Sequence, residues 1–440
     1  MQRTLACLTL SLLAILGAGL AHADTVGNCH IGAYRLADGG LVDIGASDGD
    51  ALRWRRWDGT TGALHPGAGG LWTSTLGWTD RPDGKSVSFS DCAAGDVSFD
   101  GAHGHRIDFD TTETTFDGQG VKLAGRLVLP KGDGAVPIVI LIHGSEHYSA
   151  RDFYALQRLL PAQGVGVFVY DKRGTGASTG KYTQDFSLLA DDAVAAMREA
   201  RRLAGTRAGR VGYQGGSQGG WVTPMAASRA PVDFVIVGFG LAVSVLEEDR
   251  SEVALEMRLK GHGPAEIAGA LEITDAADTL FASSFTEGFE RFDAVRAKYR
   301  GAPWYKDVHG NFTYFILPYD DAEIRQKGQA FVFGTPWRYD PMPVLRRETA
   351  PELWILGADD LQAPSAETSR RIKALGAQGL PFTLAMFPGA EHGIYEFETR
   401  PDGERADTRD PDGYFAMIAD FARSGRLRGP YGASTVTPPP

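Results

Sequence analysis

The sequence predicts an α/β fold: a doubly wound, mostly parallel sheet carrying a helical insertion and preceded by a small β domain. Three observations carry that prediction. Runs such as Ile138 to Ile142 and Phe234 to Val237 are continuously apolar, as strands buried on both faces of a parallel sheet require. Between such runs lie amphipathic helices, the clearest from Phe186 to Leu203, with an apolar stripe through Phe186, Leu189, Ala190, Ala193, Val194, Met197 and Ala200. The repeated order of strand, helix and strand is that of βαβ units.

Taken in order, the chain opens on Arg3, an apolar run from Leu5 to Leu20, and the small-x-small triplet Ala21-His22-Ala23. This reads as a secretory signal peptide over residues 1–23, cleaved between Ala23 and Asp24. It implies a secreted or periplasmic protein with no stable membrane insertion after cleavage. The run is short for a membrane span, and polar, Gly-rich sequence follows it. Cys29 and Cys92 remain after cleavage, and an oxidising compartment favours a disulfide between them.

Residues 24–112 read as an accessory β domain. Turn signals such as Asp38-Gly39-Gly40, Asp58-Gly59, Pro82-Asp83-Gly84 and Asp100-Gly101 separate short alternating strands. Trp54, Trp57, Trp72 and Trp78 are expected to fill its core. The α/β domain then spans 113–428. A strand pair is expected at 121–129, and strands at 138–142, 165–170, 211–214, 234–237, 353–356 and 382–387. Helices are expected at 153–163, 186–203, 219–228 and 413–423. The rhythm breaks at about 241–350, where helical segments at 247–260 and 264–270 precede an aromatic stretch from Trp304 to Tyr319. Residues 429–440, ending in three prolines, are expected to be a flexible tail.

Composition narrows the function. The formal net charge of the 440 residues is −11 and no dense basic block occurs, which disfavours nucleic acid and anionic membranes as partners. No phosphate loop, dinucleotide fingerprint or His-Glu-x-x-His pattern is present. The expected chemistry uses no cofactor and no metal.

Gly215-Gly216-Ser217-Gln218-Gly219 has the form G-x-S-x-G and lies between a predicted strand and a predicted helix. That context suits a nucleophile elbow, a strained turn lifting the serine hydroxyl clear of the sheet. Such a serine needs a base and an orienting acid, in the chain order Ser, Asp or Glu, His. Two later strands run into loops holding Asp359-Asp360 and Glu391-His392-Gly393, at the sheet edge where Ser217 is expected. No histidine other than His392 follows His309. Adjacent aspartates point apart, so one is expected to reach His392 while the other caps the helix near Pro364 or faces water. The expected oxyanion donors are the N–H groups of Gln218 and Ser145. His143 is expected to orient or pack, not to act as the base.

These motifs resemble the α/β-hydrolase superfamily over residues 113 to 425. The resemblance is closest to secreted bacterial serine hydrolases known as esterases or S9-like peptidases. It rests on His143-Gly144-Ser145, the stretch Tyr170 to Ser178, and the elbow Gly215 to Gly220. In that group the acid stands in a G-x-x-D-x-x-x-P context, which selects Asp360 through Gly357 and Pro364. The resemblance also implies that the insertion is a lid. Where the group often has Gly-Pro after the oxyanion loop, this chain has Glu146-His147-Tyr148, bulkier residues that would narrow an acyl pocket.

The reading is a serine hydrolase cleaving small carboxylic esters through an acyl-enzyme, with Ser217, His392 and Asp360 as triad. A peptidase acting on short peptides is the alternative within enzymes. A hydrolase-fold binding protein without activity is the alternative outside them. The sequence leaves the oligomeric state open.

Overall fold

The computed structural model describes residues 28–439, so the expected signal peptide lies outside the described residues. The chain first forms an antiparallel meander: β1 Gly32–Leu36, β2 Leu41–Ala46, β3 Leu52–Arg56, β4 Thr61–Pro66, β5 Leu71–Thr75, β6 Pro82–Phe89, β7 Asp96–Phe99 and β8 Ala102–Arg106. β8 returns to pair with β1, closing an eight-stranded barrel. Closure removes the edges that a short, twisted meander would otherwise expose. Cys29 and Cys92 are joined by a disulfide.

Only Trp54 and Trp72 belong to the barrel core, with Tyr34, Leu64, Val87 and Phe99. The expectation for the other two tryptophans is corrected. Trp57 meets Phe415 at 6.0 Å and Trp78 meets Tyr395 at 4.4 Å, so both face the α/β domain. A small barrel has limited interior volume, and its surplus aromatic surface is buried against a neighbour instead.

β9 Phe109–Gly118 and β10 Val121–Pro130 form a long hairpin that joins the main sheet. β11 Val136–Ile142 follows, then α1 Ala150–Phe153 and α2 Leu156–Leu159. The helix expected at 153–163 is thus broken into pieces, ended by Pro161 and by Gly164 at φ 81°. Next come β12 Gly166–Tyr170, α3 Phe186–Ala204, β13 Ala208–Gly216, α4 Gly219–Arg229 and β14 Phe234–Gly238.

The insertion between β14 and the next strand is helical: α5 Val245–Leu259, α6 Pro264–Ala282, α7 Phe289–Tyr299, α8 Thr313–Ile316, α9 Asp321–Gly328 and α10 Met342–Leu345. α6 outruns its expected end because Ile273, Ala276, Ala277 and Leu280 continue its buried face. The sheet resumes with β15 Glu352–Gly357, α11 Ser365–Ala377 and β16 Phe382–Phe387. β17 Ala390–Glu391, β18 Tyr395–Thr399 and β19 Arg405–Arg409 make a small separate sheet before α12 Tyr414–Ser424 and β20 Thr435–Thr437.

The nine-stranded sheet has the order β20-β16-β15-β14-β13-β11-β12-β10-β9. Its centre, from β16 to β12, is parallel; β9, β10 and β20 are antiparallel. The flexible tail expected at 429–440 is corrected in part: Thr435–Thr437 pairs with Leu384–Met386, covering the open edge of β16. Ile138 to Ile142 is wholly buried. Each such side chain contributes roughly 2 kcal/mol on leaving water. That rigid centre fixes the carboxy ends of β13, β14, β15 and β16 side by side.

Candidate active site

Ser217 follows β13 directly and holds φ 51°, a left-handed conformation that costs a non-glycine residue about 1 kcal/mol or more. The turn persists because its surroundings leave no other path. The Ser217 N–H donates to Gly238 O at 3.1 Å, and Gly220 N–H donates to Ser217 O at 2.7 Å. A methyl group at Gly216 would overlap the Phe239 ring, and one at Gly220 would sit 2.8 Å from Gly240 Cα. The elbow glycines are therefore required by close backbone approach.

The loop after β15 carries both aspartates. Asp360 is 2% exposed, and its Oδ2 lies 3.0 Å from His392 Nδ1 while Oδ1 accepts the Ala363 N–H at 2.7 Å. Asp359 points elsewhere: it is exposed, and its Oδ2 accepts the Gly389 N–H at 2.9 Å. It does not cap α11, whose N-terminal Pro364 supplies no side-chain cap.

His392 sits on a tight turn after β17, with Gly393 at φ 83° and Ile394 at φ 63°. Its ring meets Phe239 edge-on at 5.0 Å. Phe239 thus stands between Gly216 and His392, linking the elbow to the histidine. The acid and histidine loops are stitched together by Ala358 N–H to Phe387 O at 2.9 Å and Asp359 N–H to Ala390 O at 3.0 Å. Glu391, which the sequence reading passed over, accepts the Leu361 N–H at 2.7 Å and pairs with Arg405 on β19. Asp407, also on β19, lies within electrostatic reach of His392; burial pushes its carboxyl up to about 6, and the histidine opposes that rise.

On the other side of the elbow, the loop after β11 is braced from several directions. Lys172 Nζ donates to Gly144 O at 2.7 Å, and Tyr182 Oη donates to Ser145 O at 2.6 Å. Glu146 accepts the Gly144 N–H at 3.2 Å and a hydrogen bond from Tyr154. A methyl on Gly144 would lie 3.5 Å from Gly216 O, which sets this loop against the elbow. Neither the Ser145 nor the Gln218 N–H is taken up by a protein acceptor among the described residues.

His143 is buried, its Nε2 lying 2.8 Å from Tyr170 O and 3.0 Å from Lys172 N, and its Nδ1 lies 3.2 Å from Glu146 Oε1. It is a bracing residue. Burial alone would raise the Glu146 carboxyl, but His143, then Lys172 and Tyr154, hold it down to about 2. Burial pushes the Lys172 ammonium down to about 8, with Glu146 opposing. The sequence reading singles out neither Lys172 nor Tyr182. The Tyr170 to Ser178 motif was the available signal, since its lysine follows a buried strand at the sheet edge.

The helical insertion touches both flanks. Phe333 lies 5.2 Å from the Tyr182 ring and 5.8 Å from His147, and its carbonyl accepts the Gln184 N–H at 2.8 Å. Asn311 Nδ2 donates to Gln362 O at 2.9 Å, in the acid loop.

Part of the chain is similar to serine hydrolases of the α/β-hydrolase superfamily. Residues 134–264 match the family model described as serine aminopeptidase, S33. A dipeptidyl aminopeptidase BIII of Pseudoxanthomonas mexicana is 24% identical over 300 residues, covering 65% of this chain and 34% of that protein. The chain therefore spans about a third of the length of that curated relative. Among solved structures, an esterase of Pyrococcus furiosus is similar at 15% identity and a TM-score of 0.42, over 65% of this chain and 83% of that one. An acylaminoacyl peptidase of Pyrococcus horikoshii is similar at 15% identity and a TM-score of 0.39, over 81% and 52% of the two chains. The proteins it is similar to are peptidases and esterases.

Proposed function

We propose that the protein hydrolyses small carboxylic esters through an acyl-enzyme formed on Ser217. His392 takes the serine proton as the hydroxyl attacks and returns it to the leaving alkoxide. Asp360 holds the imidazole in the tautomer that leaves Nε2 free to act as base. The Gln218 and Ser145 N–H groups receive the oxyanion of the tetrahedral intermediate. Water then attacks the acyl-enzyme with His392 again as base. The observation that carries this reading is the arrangement of adjacent strand ends: a serine strained to φ 51° after β13, and a buried aspartate 3.0 Å from a histidine on the loops after β15 and β16.

The insertion acts as a lid in this reading. It touches the oxyanion side through Phe333 and the acid side through Asn311, so it would limit acyl size and exclude water. Cleavage of short peptides by the same triad is the second reading, favoured by the family model's description and by the aminopeptidase relative. We also read the protein as secreted or periplasmic, and its disulfide accords with that.

A fluorophosphonate probe should label the wild type and not Ser217→Ala; an unlabelled wild type would overturn catalysis at Ser217. Graded p-nitrophenyl acyl esters set beside aminoacyl anilides separate the two substrates. Higher kcat/KM on the esters is expected, and faster saturable anilide cleavage would establish the peptidase instead.

A further inference from the structure

Three side chains outside the triad converge inside the insertion. Glu252 and Glu256 stand four residues apart on α5, one turn above the other on the same face. His309 arrives from the loop before α8. One possible ligand atom from each lies within 4.8 Å of the others.

The individual contacts make this more than a patch of acids. Glu252 is only 6% exposed, and its Oε2 is buried with no hydrogen-bond partner. His309 Nδ1 is likewise buried and lacks a hydrogen bond, and lies 3.4 Å from Glu256 Oε1. Glu256 uses its other oxygen to accept the Gly310 N–H at 2.9 Å, which fixes the loop that delivers the histidine. The His309 ring is stacked on Tyr314 at 4.2 Å and 7°, so its plane is set before any ligand arrives. Glu248, Asp249 and Asp360 also stand close to Glu252. Among the described residues, no Lys or Arg forms an ion pair with Glu252 or Glu256.

An unpaired carboxylate in such a place is costly unless a cation or proton answers it. Two carboxylates and one imidazole form a donor set suited to a borderline divalent metal, with oxygen and nitrogen ligands expected near 2.0–2.2 Å after small rotamer shifts. We propose that Glu252, Glu256 and His309 bind one divalent transition-metal cation of the zinc class. The ion is structural. It pins the loop carrying His309 and Gly310 to α5, and the neighbouring Asn311 joins that loop to Gln362 beyond the triad acid. The sequence pattern concealed the site because its third ligand comes from a loop far along the chain.

The test is calorimetric titration of the untagged, oxidised protein with Zn²⁺, and separately with Ca²⁺ as a hard-cation control. Keeping the Cys29–Cys92 disulfide intact stops those two sulfurs, with His30 beside them, from acting as a competing site. One Zn²⁺ per chain is expected, with at least tenfold weaker binding in both Glu252→Gln and His309→Ala, and a rise in Tm with Zn²⁺ only in the wild type. His309 is partly exposed, so its replacement keeps the test usable if Glu252→Gln fails to fold. X-ray absorption at the zinc edge of the loaded protein should show one imidazole in a shell of oxygens. No binding by the wild type, equal binding by wild type and variants, or preference for Ca²⁺ would each overturn the proposal.

Discussion

At the scale of the residue, the two adjacent aspartates divide their work by direction. Asp360 turns inward to His392 and Asp359 outward to the Gly389 N–H. Replacing Asp360 with Asn should leave the fold intact but favour the wrong imidazole tautomer, lowering kcat by roughly 10³–10⁴-fold. Asp359→Asn should stay within a few-fold of wild type. Steady-state kinetics on one ester decides the matter, and the reverse order would place the acid at Asp359. Glu146 gives a second expectation. Its carboxyl is held at about 2 against an ordinary value of 4.5, so the native state binds its proton less readily than the unfolded state does. The resulting stability is complete above 4.5 and is lost as pH falls from 4.5 towards 2. The urea midpoint of the wild type should therefore exceed that of Glu146→Gln at pH 6, with the gap closing by pH 2.5. A gap independent of pH would show that the charge contributes nothing.

At the scale of the element, the strand–helix alternation and the elbow were legible because each depends on local pattern: continuous apolar runs for buried strands, a 3.6-residue stripe for α3, glycines around Ser217. The choice of Asp360 came from the resemblance and its G-x-x-D-x-x-x-P context, since adjacent residues alone could not decide it; its Oδ2 lies 3.0 Å from His392 Nδ1. The hairpin of β18 and β19 went unread. Its strands are half-exposed and lack a continuous apolar face, although the turn at Pro401-Asp402-Gly403 was a usable signal. That hairpin matters because it steadies the His392 turn. Tyr395 packs on Trp78 of the barrel, the Trp78 N–H donates to Asp407 O at 2.9 Å, and Arg53 stacks on the indole at 4.3 Å. Trp78→Ala should let the turn wander, lowering kcat about tenfold with KM within twofold, and Trp78→Phe should recover most of the loss. A change in KM alone would assign Trp78 to substrate contact instead.

At the scale of the whole molecule, barrel and α/β domain share a core, which a reading of separate composition could not foresee. Ala33 and Leu41 of the barrel belong to the same apolar cluster as β11, β12 and α12. Across that contact Asp43 of β2 receives Arg158 of α2 through two hydrogen bonds, 2.5 and 3.1 Å long, with both side chains buried. A buried ion pair is costly to form, yet costlier to break by halves, because the surviving charge has no solvent to turn to. Asp43→Asn should therefore destabilise the protein by about 3–5 kcal/mol. Replacing both partners, as Asp43→Leu with Arg158→Met, should recover most of that loss by exchanging the pair for apolar packing. Urea unfolding followed by tryptophan fluorescence provides the measurement, since Trp54 and Trp72 lie in the barrel and Trp221 and Trp354 lie in the α/β domain. A single transition in the wild type is expected from the shared core. If the wild type instead unfolds in two separated steps, or Asp43→Asn costs less than about 1 kcal/mol, the barrel is an independent unit and the ion pair a surface fastening.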